Sequence, residues 1–398
     1  VVLARALAVA AVIGSAVAAR PARADDFVVV RGVYYREAST RVIQPMVDVQ
    51  RDSPSGVDVG AHFLIDAITS ASIAAGTALD NVFTETRNEV GFNIRKRWSR
   101  SEVTAAYKYS AESDYWSHAV GISGGWRLWG DTATLRVALG TSFDSMATQG
   151  RTPACGVVRM TTSCFLDTYF GGVSWTQVLS PVATAQLSYE TAYLDGFQGN
   201  LYRAVPNFGY EVLPYAANGT VADGRRLRSA IAPRAGYYFP STGTGVQLSY
   251  RYYFDLFPGT YKTPYDPWDL HSHTIEGRVY QYLSRDVELR LLYRQYLQNK
   301  AAFWCDAVAQ PSCYPAGSAY YSTDPKLGPV HTEYPEAKVY WHLESLRPYR
   351  FLSWFASGTL EVSYGIYFQN TSFGATSSQM PFFCPRTCVV QAGYTMPY

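Results

Sequence analysis

The segment "DLHSHT" places Asp269, His271 and His273 at i, i+2 and i+4. In a strand these three share one face, and imidazole with carboxylate is a donor set for a transition metal. Alternation assigns that face outward at the rim of a sheet. Hydrogen-bonded rim histidines explain the pattern there, and we assign no metal site and no cofactor. A serine hydrolase would need a serine and a histidine within hydrogen-bond reach and an orienting polar partner. His118, His331 and His342 fall on strands, but no G-x-S-x-G elbow is present and no spacing selects one serine. We therefore name no catalytic residue and do not expect an enzyme.

Six cysteines form three sequence-local pairs: Cys155 with Cys164, Cys305 with Cys313, and Cys384 with Cys388. An even count in an exported chain implies disulfides formed in an oxidising compartment. No C-x-x-C and no clustered histidine accompanies them, so loop staples fit better than zinc.

The remaining chemistry is charge set opposite apolar side chains. Alternation puts Arg95, Lys108, Arg127, Arg136, Glu190, Arg251, Asp255, Glu276, Arg278, Glu288, Arg290, Arg294, Glu336, Lys338 and Glu361 on one side of their segments. In "VDVGAHFLIDA", Val57, Val59, Ala61, Phe63 and Ile65 oppose Asp58, His62 and Asp66. In "GVQLSYRYYFD", Val246, Leu248, Tyr250, Tyr252 and Phe254 oppose Gln247, Ser249, Arg251, Tyr253 and Asp255. A period of two over so many segments means strands.

A sandwich with a dry core and a membrane barrel with a polar lumen both alternate in this way. Segments of about ten residues or more match the ~9 to 11 needed for a tilted strand to cross hydrocarbon. Trp98, Trp116, Trp129, Trp175, Trp341 and Trp354 lie near segment ends, where interfacial girdles belong. The 398-residue chain is 15% aromatic, with 32 tyrosines, and only 17% charged. Soluble domains average about 25% charged. The net charge of +2 gives no case for a nucleic-acid partner.

Counting back from a final inward strand puts short turns near 344–357, 284–285, 240–242, 180–181, 130–131 and 98–100. Long loops then fall near 370–388, 299–329, 257–271, 195–225, 144–164, 112–116 and 68–87, and contain all three cysteine pairs. The expected fold is all-β: a transmembrane antiparallel up-and-down barrel of about sixteen strands, with fourteen as the alternative, short periplasmic turns and long extracellular loops. Pro45 counts against an unbroken strand over "RVIQPMVDVQR" unless it sits at a bulge or rim.

Arg5, the apolar run "ALAVAAVIGSAVAA" and the small-x-small "ARA" at 22–24 read as a cleaved signal peptide over residues 1–24, leaving 25–398 as a single barrel domain. The terminal "VVQAGYTMPY" resembles the signal by which bacterial barrels meet their insertion machinery, with Pro397 departing from the usual pattern. "RGVYYREASTRVIQP" (31–45), "IDAITSASIAAG" (65–76), "AYLDGFQGNLYRAV" (192–205), "YRYYFDLF" (250–257), "LHSHTIEG" (270–277), "YRQYLQNKAAFW" (293–304) and "YYSTDPKLG" (320–328) together resemble a bacterial family known only as a domain of unknown function. The resemblance implies a Gram-negative outer-membrane barrel among outer-membrane lipids and brings no catalytic residues.

A wide barrel with charge inside predicts a porin-like passive channel for small polar solutes. A non-conducting structural or surface-interaction barrel and, third, an outer-membrane hydrolase are the alternatives. Ion pairs that merely tie the wall together would account for the same charges.

Overall fold

The computed structural model describes residues 26–37, 40–70, 83–147, 163–199, 204–205, 209–210, 213, 225–256, 268–306, 320–349, 351–353, 355–369, 384 and 387–397. The leader expected over residues 1–24 lies outside them. Eighteen strands follow in chain order. They are β1 (Phe27–Arg36), β2 (Thr40–Arg51), β3 (Val57–Ser70), β4 (Phe83–Arg97), β5 (Ser101–Ala111), β6 (Tyr115–Leu128), β7 (Ala133–Ala147), β8 (Ser163–Ser180) and β9 (Ala183–Gly196). Next come β10 (Ala204–Val205), β11 (Gly209–Tyr210), β12 (Arg225–Phe239), β13 (Thr244–Leu256), β14 (His271–Tyr282), β15 (Val287–Gln298), β16 (Val330–His342), β17 (Thr359–Gln369) and β18 (Thr387–Pro397).

Sixteen of these close into one antiparallel barrel, and β10 pairs only with β11. Each barrel strand pairs with its neighbours in sequence, with β9 passing to β12, and β1 pairs with β18 to complete the ring. Closure removes the free edges that an open sheet would expose. No helix among the described residues is long and apolar enough to cross a membrane.

Why the chain closes with sixteen strands is visible at its start. "FVVVRGVYYR" and "TRVIQPMVDVQR" pair residue for residue from Phe27↔Gln50 to Arg36↔Arg41, with Pro45 opposite Gly32. On the β3 side the ladder resumes at Met46↔Leu64 in the same register as Ile43↔Ala67. Proline lacks an N–H, so it costs a rung on that side without shifting the strand. The fourteen-strand alternative is thereby excluded.

The polarity is inverted relative to a soluble fold. The apolar members of each alternation are exposed, among them Phe92, Ile122, Leu139 and Leu248, while Asp58, Glu276, Lys338 and Glu361 are buried. Burying the charged set and exposing the apolar set is stable only where the outside is not water. At the short-turn end, Trp98 and Trp129 are exposed, and Trp129 meets Trp175 edge-on with ring centroids 5.1 Å apart. Trp354 lies outside the described residues.

The connections alternate between the two ends of the barrel as expected, with two departures in length: β5 and β6 are joined by only 112–114 at the long-connection end, and β16 and β17 by 343–358 at the short-turn end. The strands run deeper into the long connections than expected, so Cys164 lies in β8 and Cys388 in β18. Cys384 and Cys388 are joined by a disulfide, and Cys164 and Cys305 are each disulfide-bonded. Cys155 and Cys313 lie outside the described residues.

Candidate functional site

All fifteen charged residues expected inside share one face of the register, the face that carries Asp58 and Gly393. Leu128↔Ala133 sets Arg127 opposite Thr134 and Arg136 opposite Gly125. Likewise Arg251 pairs with Thr274, Glu276 with Arg294, Arg290 with Lys338, and Tyr340 with Glu361. Side chains on this face are close enough to reach across a strand wherever the middle strand offers a small residue.

Glu361 of β17 shows the device. Its carboxylate accepts from Arg31 of β1 at 2.8 Å over Gly393 of the intervening β18, and from Lys338 of β16 at 2.9 Å. A Cβ at position 393 would lie 2.8 Å from Oε1 of Glu361, so the bridge requires glycine there. Arg136 of β7 reaches Glu102 of β5 at 3.0 Å in the same way, over Gly125 of β6.

Around β2 to β5 nearly every cation meets a carboxylate. Arg95 and Arg97 both bind Asp58, at 3.0 and 2.6 Å, and Arg87 binds Asp66. His62 sits between Asp48 at 2.5 Å and Glu89 at 3.5 Å, and Lys108 holds Glu89 at 3.2 Å. Arg127 donates to the Ser99 carbonyl in the adjacent turn. Further round, Arg290 donates to Glu336 at 2.6 Å, and Glu288 has no ion pair among the described residues.

The wall formed by β12 to β16 differs. One row of register partners runs Gln186, Arg234, Ser249, Glu276, Arg294 and Tyr334. The next row toward the long connections holds Arg251, Thr274, Tyr296, Thr332 and Gln369. The two rows line a cavity of about 720 Å³. Above it a second cavity of about 400 Å³ shares Arg251, Tyr296, Gln298 and Lys326 with the first, and reaches Arg226, Arg228 and Trp268.

That upper end is tied down by charge and rings. Arg226 makes a two-point contact with Asp255, at 3.0 and 2.5 Å, and stacks 3.7 Å over Trp268. Leu213, Trp268, Leu270, Ala301 and Phe303, drawn from three long connections, form one buried apolar cluster.

Other sequence candidates resolve simply. His271 and His273 lie on the outward face, His273 takes part in a hydrogen bond with the Tyr250 hydroxyl at 2.7 Å, and Asp269 precedes the strand in a left-handed conformation, φ 46°. The three are not gathered as ligands. His118 faces outward beside Tyr107, His331 lies outward beside Gln295, and His342 bonds Thr359 at the end of β16. Among the described residues the one gathered donor set is Glu85, Glu112 and Asp114, with ligand atoms within 4.8 Å of one another in the β3–β6 region of the long-connection end.

Further inward charges lie beyond the fifteen. Asp58, His62, Asp66 and Arg97 occupy the polar positions of alternations that are plain to read. Arg226, Arg228 and Arg234 fall at even spacing in "RRLRSAIAPRAGYYF", but Pro233 and a run of small residues weaken the pattern there.

In shape the chain is similar to a bacterial polysaccharide outer membrane secretin, with 9% identity, TM-score 0.49, and 94% of this chain and 98% of that chain covered. It is also similar to OccK2 (OpdF) of Pseudomonas aeruginosa in complex with glucuronate, at 8% identity and TM-score 0.43 over 95% and 99% of the two chains. OccD3 (OpdP) of the same organism aligns at 9% identity and TM-score 0.43 over 94% and 90%. No curated protein matches in sequence. The family described as protein of unknown function DUF3570 matches residues 68–347, and the chain belongs to it.

Proposed function

We propose that the chain is a bacterial outer-membrane barrel that passes small polar solutes passively and catalyses no reaction. One observation carries the reading: a closed sixteen-strand ring with its apolar side chains outward and its charges inward around a cavity of about 720 Å³. An outward apolar belt suits hydrocarbon, since a lysine or arginine at the bilayer midplane costs roughly 2 to 4 kcal/mol. A ring of this strand number is wide enough for an aqueous passage. In this reading the short turns are periplasmic and the disulfide-bearing connections face outside.

Purified protein in planar bilayers is expected to give stepwise conductance. Persistent silence from protein that still shows the heat-dependent gel mobility of a folded barrel overturns the channel. The apolar cluster shared by three long connections supports a second reading, a non-conducting barrel that presents an ordered surface. Silent bilayers together with a partner crosslinked to those connections favour it.

A further inference from the structure

We propose that the lumen wall of β12 to β16 is a binding site for small organic carboxylates, an inference that rests on the channel reading and names its solute class. The argument is one of charge balance. Arg234, Arg251, Arg278, Arg294 and Lys326 line the larger cavity, and among the described residues Glu276 is the only carboxylate that does. Arg278 and Arg294 share that carboxylate, at 2.6 and 2.7 Å. Arg251 has Glu190 at 3.7 Å, with both side chains well exposed, and Arg234 has no ion pair among the described residues. The wall of β2 to β5, by contrast, pairs its cations closely.

A surplus of guanidinium on a low-dielectric wall focuses a positive potential into the cavity. The planar fork of an arginine matches a carboxylate with two parallel hydrogen bonds. The same potential continues upward through Lys326 and Arg251, which line both cavities, to Arg228. Arg228 has no ion pair among the described residues, and its buried Nε lacks a hydrogen-bond partner.

The carbon skeleton of the solute also has a place. Tyr334 donates its hydroxyl to Glu336 and Tyr296 donates to Gln298, so both hydroxyls are engaged and what the two residues add to the lining is apolar ring. Tyr367 stacks on Tyr334 with centroids 4.2 Å apart. Ser249, Thr274, Thr332 and Gln186 supply neutral hydrogen-bonding groups in the same two rows. A compact carboxylate bearing hydroxyl groups fits this combination, and the volume lies within the range of about 300 to 1,000 Å³ typical of small-molecule sites.

The test uses the full chain and gluconate as the probe. In planar bilayers under a salt gradient the channel is expected to favour anions, and gluconate is expected to reduce chloride current as it occupies the wall. Calorimetric titration of the detergent-solubilised protein with gluconate should show saturable binding. In Arg234→Gln with Arg251→Gln the affinity should fall by about tenfold, the loss expected of a charge-assisted hydrogen bond. Arg234→Lys should retain the anion preference while losing the two-point contact. Cation preference, gluconate binding that ignores the double variant, or tighter binding of inorganic phosphate each overturns the proposal. A silent bilayer with gluconate binding that the double variant abolishes overturns the channel reading and leaves the carboxylate site standing.

Discussion

At the scale of single residues, the connection between β5 and β6 carries a carboxyl held out of its ordinary state. Burial is the main cause that raises the pKa of Glu112 above its usual 4.5, and the neighbouring charges of Glu85, Asp114 and Asp66 push the same way, while Arg87 opposes them. The folded state therefore holds this proton more tightly than the unfolded chain does. The stability this group contributes is present below the ordinary glutamate range and is lost as pH rises through the raised value. Glu112→Gln removes that loss. Its unfolding midpoint should exceed that of the parent at neutral and alkaline pH, and the difference should vanish near pH 4, where both side chains are neutral. A thermal denaturation series across pH measures this, and a variant less stable than the parent at pH 8 contradicts it. Carboxylate oxygens of Glu85, Glu112 and Asp114 lie within 4.8 Å of one another, and the repulsion from Glu85 and Asp114 adds to the larger effect of burial.

At the scale of elements, the strands were legible and the long connections were not. Alternation in "HAVGISGGWRLWGDTATLRVALG" fixed the β6–β7 hairpin to the residue, because slipping the register by one would turn Ile122 and Leu139 inward and Arg136 outward. The β12 wall was harder to see. Ala230 and Ala232 are small on the inner face and Pro233 interrupts the ladder, so Arg228 and Arg234 lack the strong contrast that marks other strands. Which cations meet which acids is not local at all: Arg31 finds Glu361 only because the barrel closes. The apolar cluster of the long connections has no period, since Leu213, Trp268 and Phe303 come from three separate segments. Trp268 is the hinge of that cluster, 1% exposed, against Phe303 at 5.1 Å and under the Arg226 guanidinium. Truncating a buried tryptophan costs about 3 to 5 kcal/mol. Spent on a local cluster, that loss should open the connections without melting the ring. Trp268→Ala is expected to keep the heat-dependent gel mobility of a folded barrel while becoming sensitive to protease added outside. Equal resistance in both proteins would mean that the connections are held by something other than this cluster.

For the whole molecule, the decisive contact is the seam between the first and last strands, since an open sheet with this polarity would leave two unpaired edges beside an apolar outer face. The register Val33↔Gln391 places two inward side chains opposite each other across β1 and β18, and Glu361 bridges β16, β17 and β1 over the same junction. Directly opposed residues in an antiparallel pair have Cα atoms about 4.5 or 5.5 Å apart, both within the span a disulfide accepts. No free cysteine among the described residues competes for the bond. Cysteines introduced together as Val33→Cys and Gln391→Cys should oxidise readily in the folded protein, joining the two ends of the chain and retaining compact mobility after denaturation without reductant. Val33→Cys with Ala392→Cys is the discriminating companion, because Ala392 faces outward in this register and a pair on opposite faces cannot bond. Bonding in the second pair and not the first would shift the seam by one residue and separate Arg31, the inward charge of β1, from Glu361. A fourteen-strand ring that left out β1 and β2 would bond in neither.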